Sequence, residues 1–85
     1  MTYFVYIIES LKDGSYYIGS TQNLSERIER HNRGRSTYTK SKRPWELVYT
    51  EELPDRSSAM KREKEVKSKK SKEYIEHLLR ASRQS

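Results

Sequence analysis

This sequence predicts a small α+β fold: a three-stranded antiparallel sheet flanked by three helices, in the order β-β-α-β-α-α. Three observations carry that prediction. Two aromatic-rich apolar runs flank Asp13-Gly14, a pair that accepts positive φ at both turn positions, so Tyr3 to Thr21 reads as a β-hairpin. Asn23 with Glu26 three residues on, and Asn32 with Gly34 beyond, bracket a short helix. Pro44 then precedes an alternating run, after which two stretches carry apolar residues at helical spacing.

Strand one is expected over Thr2 to Glu9, whose nearly continuous apolar character suits a central strand covered on both faces. Strand two, Ser15 to Gly19, ends on a glycine that lets the backbone leave the sheet or approach another group closely. With Asp13 and Gly14 alone as the turn, Tyr6 faces Thr21 and Tyr17 faces Ser10, so both phenols project from the face that carries Phe4 and Ile8. That register leaves the two tyrosines about 13 Å apart. A looser turn, spanning Ser10 to Ser15, brings them closer and is expected if both serve one site.

Helix one, Leu24 to Asn32, carries a short apolar stripe of Leu24 and Ile28, with Arg27 and His31 as a second i, i+4 pair at its border. Strand three, Trp45 to Glu51, is expected to turn Trp45, Leu47 and Tyr49 to one face and Val48 to the other. Helix two, Ser58 to Lys67, capped by Asp55 or Ser57, turns Ala59, Met60 and Val66 inward with Glu63 in their midst. A break over Ser68 to Ser71 precedes helix three, marked by Tyr74, Ile75, Leu78 and Leu79. One domain over residues 1–80 and a disordered tail over 81–85 complete the expected organisation.

With 85 residues, of which 32% are hydrophobic and 35% charged, the core must be small. Seven Tyr, one Trp and one Phe in strand-like runs nevertheless oppose a disordered chain. The lack of cysteine excludes disulfides and thiolate metal sites. No apolar run reaches the ~20 residues of a membrane-spanning helix, and a cytoplasmic setting without membrane contact is expected. A net charge of +6 favours polyanionic partners. Arg33, Arg35, Lys40, Lys42 and Arg43, with Tyr38 among them, fall in a stretch from Arg30 to Arg43 that contains no carboxylate, and this loop is expected to face nucleic acid.

Phosphodiester cleavage needs a base to activate water, a cation to neutralise phosphoryl charge and a carboxylate for a divalent metal. Tyr6, Tyr17, Arg27, His31 and Glu63 supply that inventory. Each also has a structural reading. Tyrosines suit strands, a histidine near a helix C-terminus complements the dipole, and Arg27 can pair with Glu26, Glu29 or, as a partly buried ion pair, Glu63. His77 reads as surface.

The order and spacing of these residues resemble the GIY-YIG nuclease domain, and in particular its short stand-alone bacterial branch, over nearly the whole chain. Phe4-Val5-Tyr6 stands as the first half-motif, with Phe4 where the family has glycine, and Tyr17-Ile18-Gly19 as the second. Arg27 and His31 follow on the helix, and Glu63 in the run REKEVK fits the metal-binding glutamate. The resemblance implies the same three-stranded fold and metal-dependent hydrolysis of DNA, with Mg²⁺ or Mn²⁺ held by Glu63, in DNA repair or recombination. It casts Tyr6 as general base assisted by His31, Tyr17 as positioning the water or phosphate, and Arg27 as stabilising the developing charge. A tyrosine base requires a phenol pKa lowered by a neighbouring cation or metal. Relatives usually attach this domain to a separate DNA-binding region, so a protein partner supplying specificity is expected. The rival expectation is a non-catalytic nucleic-acid-binding module on the same scaffold.

Overall fold

Val5, Tyr6, Ile7 and Ile8 expose no surface, because their strand is the central one. The computed structural model describes residues 2–69 and 72–83. In it β1 (Tyr3–Ser10) lies between β2 (Tyr16–Thr21) and β3 (Trp45–Leu53), antiparallel to both. Helices α1 (Leu24–Asn32), α2 (Arg56–Ser68) and α3 (Lys72–Arg83) complete the expected order, with one 3₁₀ turn at Lys40–Lys42. Among the described residues no helix is long and apolar enough to cross a membrane.

Two small cores form, one on each face of β1. Ile7 packs with Val66, Ile75 and Leu79 under α2 and α3, whereas Tyr6 and Ile8 pack with Trp45 against Leu24 and Ile28 of α1. The continuous apolar run of β1 follows from this two-sided cover.

The hairpin closes with the looser turn and not with Asp13-Gly14 alone. Ser10 N–H donates to the Ser15 carbonyl at 2.8 Å and Gly14 N–H returns to the Ser10 carbonyl at 2.9 Å. Asp13 is engaged within the loop, where its Oδ1 accepts from Ser15 N–H at 2.9 Å and Ser15 Oγ at 2.6 Å, while Gly14 takes φ 76°. Tyr6 therefore pairs with Gly19, and Tyr17 with Ile8. Because the register moves by two residues, every side chain keeps its face. The phenols end with ring centroids 6.5 Å apart.

Strand three departs from simple alternation. Ile8 pairs with Leu47 but Ile7 with Tyr49, so Val48 is the extra residue of a β-bulge. Tyr49 is thereby turned to the α2–α3 side, opposite Trp45 and contrary to the expected grouping. There its hydroxyl donates to Glu51, which accepts from Arg62 of α2 at 2.9 Å.

Helix α1 has the expected bounds. Asn23 Oδ1 accepts from Glu26 N–H at 3.1 Å, and Gly34 at φ 77° follows its end. Asn32, read as part of a stop signal, also makes a tertiary clasp: Trp45 N–H donates to its Oδ1 at 2.6 Å, and its Nδ2 donates to the Trp45 carbonyl at 3.1 Å. Asp55 caps α2 by accepting from Ser58 N–H at 2.8 Å, and the helix starts earlier than expected. Its buried residues are Ala59 and Val66, two turns apart, while Met60 points away and is 54% exposed, so it does not belong to the inward stripe. The expected break between the last two helices includes Lys70 and Ser71, which lie outside the described residues. Helix α3 extends to Arg83, into the segment expected as a tail, whose Gln84 and Ser85 also lie outside the described residues.

Removing the Asn32 clasp leaves the Trp45 backbone without its side-chain partners. Asn32→Ala should destabilise the fold by about 1–3 kcal/mol, and Asn32→Asp, which keeps the shorter bond's acceptor, by less. Urea unfolding of the three proteins checks the order.

Candidate active site

A phenol on the central strand, without exposed surface, has to find its partners inside the protein. Tyr6 can lie where it does because its cross-strand partner is glycine. A Cβ on Gly19 would stand 2.5 Å from the phenol oxygen and 2.7 Å from Cζ. From α1, His31 brings Nε2 to 3.0 Å of that oxygen, and Arg27, one turn earlier, lies near enough for its charge to act on the phenol. The i, i+4 spacing of Arg27 and His31 puts both beside Tyr6. Tyr17 flanks the pair, its ring centroid 5.0 Å from the imidazole in an edge-on arrangement.

Burial, then the neighbouring Tyr17, pushes the Tyr6 phenol up to about 12, and Arg27 opposes this without reversing it. The lowered phenol that a tyrosine base calls for is therefore absent from the resting arrangement. Burial first and the Arg27 guanidinium second hold His31 below its ordinary value, so its imidazole is neutral at pH 7 and does not serve as a dipole-complementing cation. Its other nitrogen, Nδ1, lies 2.8 Å from Thr39 Oγ1.

Two hollows meet at Arg27 and Arg30. The larger, about 430 Å³, opens between the end of β2, α1 and the start of α2, where Ser20, Arg56 and Glu63 join the two arginines. The smaller, about 280 Å³, adds Tyr17, His31 and Arg35. Glu63 thus faces the cleft with Arg27, yet its ion-pair partner is Lys67 at 2.6 Å, and its other oxygen accepts from Ser20 Oγ at 2.6 Å. The buried Arg27–Glu63 pair allowed by the sequence is not among the ion pairs of the described residues. Nor, among those residues, do three His, Asp or Glu side chains gather as a metal cage. The donor set fits a hard, strongly hydrated cation that takes one carboxylate oxygen and keeps its waters. The Lys67 ammonium is half exposed, and an ion pair of that kind is worth only about 0–1 kcal/mol against an incoming ion.

The basic loop is less uniform than its composition. Arg35 lines the smaller hollow, and Tyr38, 66% exposed, stands 5.7 Å from the Tyr17 ring. Lys40 is exposed beside them in sequence. The other three cations have local duties: Arg33 pairs with Glu29, Lys42 reaches Asp13 at 3.4 Å and Ser15 Oγ at 3.3 Å, and Arg43 Nε donates to the Lys40 carbonyl at 2.9 Å. Sequence reasoning did not single out Arg30, Ser20 or Thr39 for the site. Arg30 follows Arg27 at i+3 and was visible as a helix neighbour, whereas nothing in the sequence pattern distinguishes Ser20 or Thr39 from other surface hydroxyls.

Residues 2–75 match the family described as the GIY-YIG catalytic domain. The UPF0213 proteins of Staphylococcus aureus strains Mu3 and Mu50 are each 46% identical over 68 residues, covering 79% of this chain and 82% of theirs. The solution NMR structure of the UPF0213 protein BH0048 from Bacillus halodurans superposes with a TM-score of 0.60 at 39% identity, over 95% of this chain and 85% of that one.

Gly19→Ala should force the Tyr6 ring off His31 and cost about 1–3 kcal/mol, read by urea unfolding and by the His31 ring signals in NMR. Stability should also fall at both ends of the pH scale. The unfolded chain protonates His31 near pH 6.5 and the folded chain only below that, so stability is full above about 6.5 and declines as pH drops through the gap. Unfolded Tyr6 ionises near pH 10 and folded Tyr6 near 12, so stability declines again as pH rises between those values. Unfolding measured across pH should weaken the alkaline limb in Tyr6→Phe, where Tyr49, also raised by burial, keeps a share, and lose the near-neutral limb in His31→Gln.

Proposed function

The chain belongs to the GIY-YIG family of nucleases, and on that premise we propose that it is a metal-dependent endonuclease hydrolysing DNA phosphodiester bonds. The observation carrying this reading is that Arg27 lies close enough to act on the Tyr6 phenol, neighbours His31 and lines the same cleft as Glu63. Phosphate charge, proton acceptor and carboxylate are thus reachable from one guanidinium.

In this proposal Glu63 is the residue that would hold Mg²⁺ or Mn²⁺, which when bound supplies Lewis-acid neutralisation of the phosphoryl oxygens. Arg27 and Arg30 bind the substrate phosphate through charge-assisted hydrogen bonds that strengthen as charge builds on its oxygens. A phosphate that draws the Arg27 guanidinium towards itself releases the phenol oxygen of Tyr6. As the oxygen of the attacking water bonds phosphorus, the water gives a proton to the phenol oxygen while Tyr6 passes its own proton to His31 Nε2. One P–O ester bond breaks, the departing oxygen takes a proton from solvent, and the imidazolium returns its proton to solvent. Tyr17, packed edge-on against His31, orients the water or phosphate.

The same reading sets the reaction in the cytoplasm, on branched or damaged DNA of repair or recombination. A protein partner would supply the selectivity that phosphate contacts alone do not give. The rival, a non-catalytic binding module, draws on the Lys67–Glu63 pair, which satisfies the carboxylate without metal. It gives no role to the neutral Tyr6–His31 pair, which adds nothing to phosphate attraction.

With Mg²⁺ or Mn²⁺ present, the purified protein should cut linear, nicked or branched DNA. Tyr6→Phe, Arg27→Ala and Glu63→Ala should each lower the rate by about 10² or more while circular dichroism stays native, and a chelator should stop cutting. Equal inertness of wild type and variants on all three DNA forms, with salt-dependent binding indifferent to Glu63→Ala, would establish the binding module instead.

A further inference from the structure

Thr39 stands out in its surroundings. Tyr38 before it and Lys40 after it are exposed, yet Thr39 itself exposes nothing. Its backbone is fixed by two donors into its carbonyl, Trp45 Nε1 at 2.9 Å and Lys42 N–H at 3.2 Å. Trp45 is in turn clasped by Asn32, the residue after His31. The loop is thereby built to deliver one hydroxyl to His31 Nδ1 at 2.8 Å.

A neutral imidazole has one N–H and one bare nitrogen, and the partner of each decides which is which. The Arg27 guanidinium, whose charge acts on the phenol, only donates and cannot take the Tyr6 hydrogen, so that hydrogen is directed to the nitrogen 3.0 Å away, His31 Nε2. Nε2 is then the bare nitrogen and Nδ1 carries the proton. That proton needs an acceptor, and the oxygen in place is Oγ1 of the buried Thr39, 2.8 Å away.

We propose that Thr39 is a positioning residue that holds the His31 proton on Nδ1, keeping Nε2 free to receive the Tyr6 proton. The proposal rests on the reading of Tyr6 and His31 as the proton-accepting pair. Thr39 touches neither substrate nor the reacting oxygen. Its effect passes through the imidazole, as outer partners orient histidines at other sites.

Nitrogen-detected NMR of the His31 ring in the metal-free, DNA-free protein tests this without any reference to cutting. Wild type should show a protonated Nδ1 and a bare Nε2. Thr39→Val keeps the shape and removes the acceptor, and should shift the tautomer towards protonated Nε2, with DNA cleavage lowered by about 10- to 100-fold. Thr39→Ser, which retains the hydroxyl, should keep the wild-type tautomer and most of the rate. A bare Nδ1 in wild type overturns the proposal even if the valine variant does not fold, and so does a tautomer unchanged by Thr39→Val. Should the tautomer respond as stated in a protein that cuts no DNA, the nuclease reading fails while the assignment of Thr39 as the tautomer's determinant stands.

Discussion

The site depends on one constraint, the burial of the Tyr6 hydroxyl in the central strand. A phenol there loses its water partners, and leaving it unsatisfied would cost about 1–3 kcal/mol. Every neighbour answers that need. Gly19 leaves room for the ring, His31 meets the oxygen, Arg27 brings its charge close, and Tyr17 seals the flank. His31 in turn needs a partner for its second nitrogen, which brings Thr39 inward and commits the loop that carries it. Helix α1, the loop and the start of β3 are thus tied by a chain of hydrogen bonds from Tyr6 through His31 and Thr39 to Trp45 and Asn32.

How far this was legible in the sequence depended on periodicity. The bounds of helix one could be read because Asn23, Glu26 and Gly34 are local chemistry, satisfied within a turn of the residue that needs them. Tyr6 and Tyr17 could be set on one face even from the wrong register, since a two-residue slip conserves parity. The Val48 bulge breaks parity by one residue and has no signature in the run around it, so the face of Tyr49 was misread. Met60 was misread because a 13-residue helix lying on a sheet buries a narrower stripe than its apolar residues suggest. Arg27, His31 and Glu63 could be placed near the hairpin from the sequence because they sit on periodic elements. Thr39 lies on a loop with no period, and only the fold shows that it turns inward.

The basic loop illustrates what composition leaves out. Charge fixes the long-range field, to which every lysine and arginine contributes wherever its side chain ends. It does not fix direction. Lys42 and Arg43 are turned to the hairpin and to the loop's own backbone, which helps to shape the segment that delivers Thr39. The cations beside the candidate chemistry are instead Arg27, Arg30 and Arg35, two of them from a helix that looked amphipathic rather than basic. Exposed ion pairs such as Arg33–Glu29 add little stability, so the loop's order rests on the buried Thr39 and Trp45 and not on its charges.

Opposite shifts on the two members of the proton-accepting pair decide which form of the proposed reaction is physically open. Burial raises the phenol to about 12 and holds the imidazole below its ordinary value near 6.5, so both are neutral at rest. Moving the phenol proton to His31 before anything else happens works against both shifts, because burial favours the neutral form of each partner. A free phenolate is therefore not a competent intermediate here. If the water's proton arrives at the phenol oxygen as the phenol's own proton leaves for Nε2, and as the water oxygen bonds phosphorus, neither oxygen carries a full charge at any point. Such a transfer needs Tyr6 to act as donor and acceptor at once, with an imidazole of fixed tautomer on one side and a movable guanidinium on the other. Arg27 answers to the second condition, since it lines the cleft and its charge also acts on the phenol, so in the proposed reaction engaging substrate and freeing the oxygen are one event.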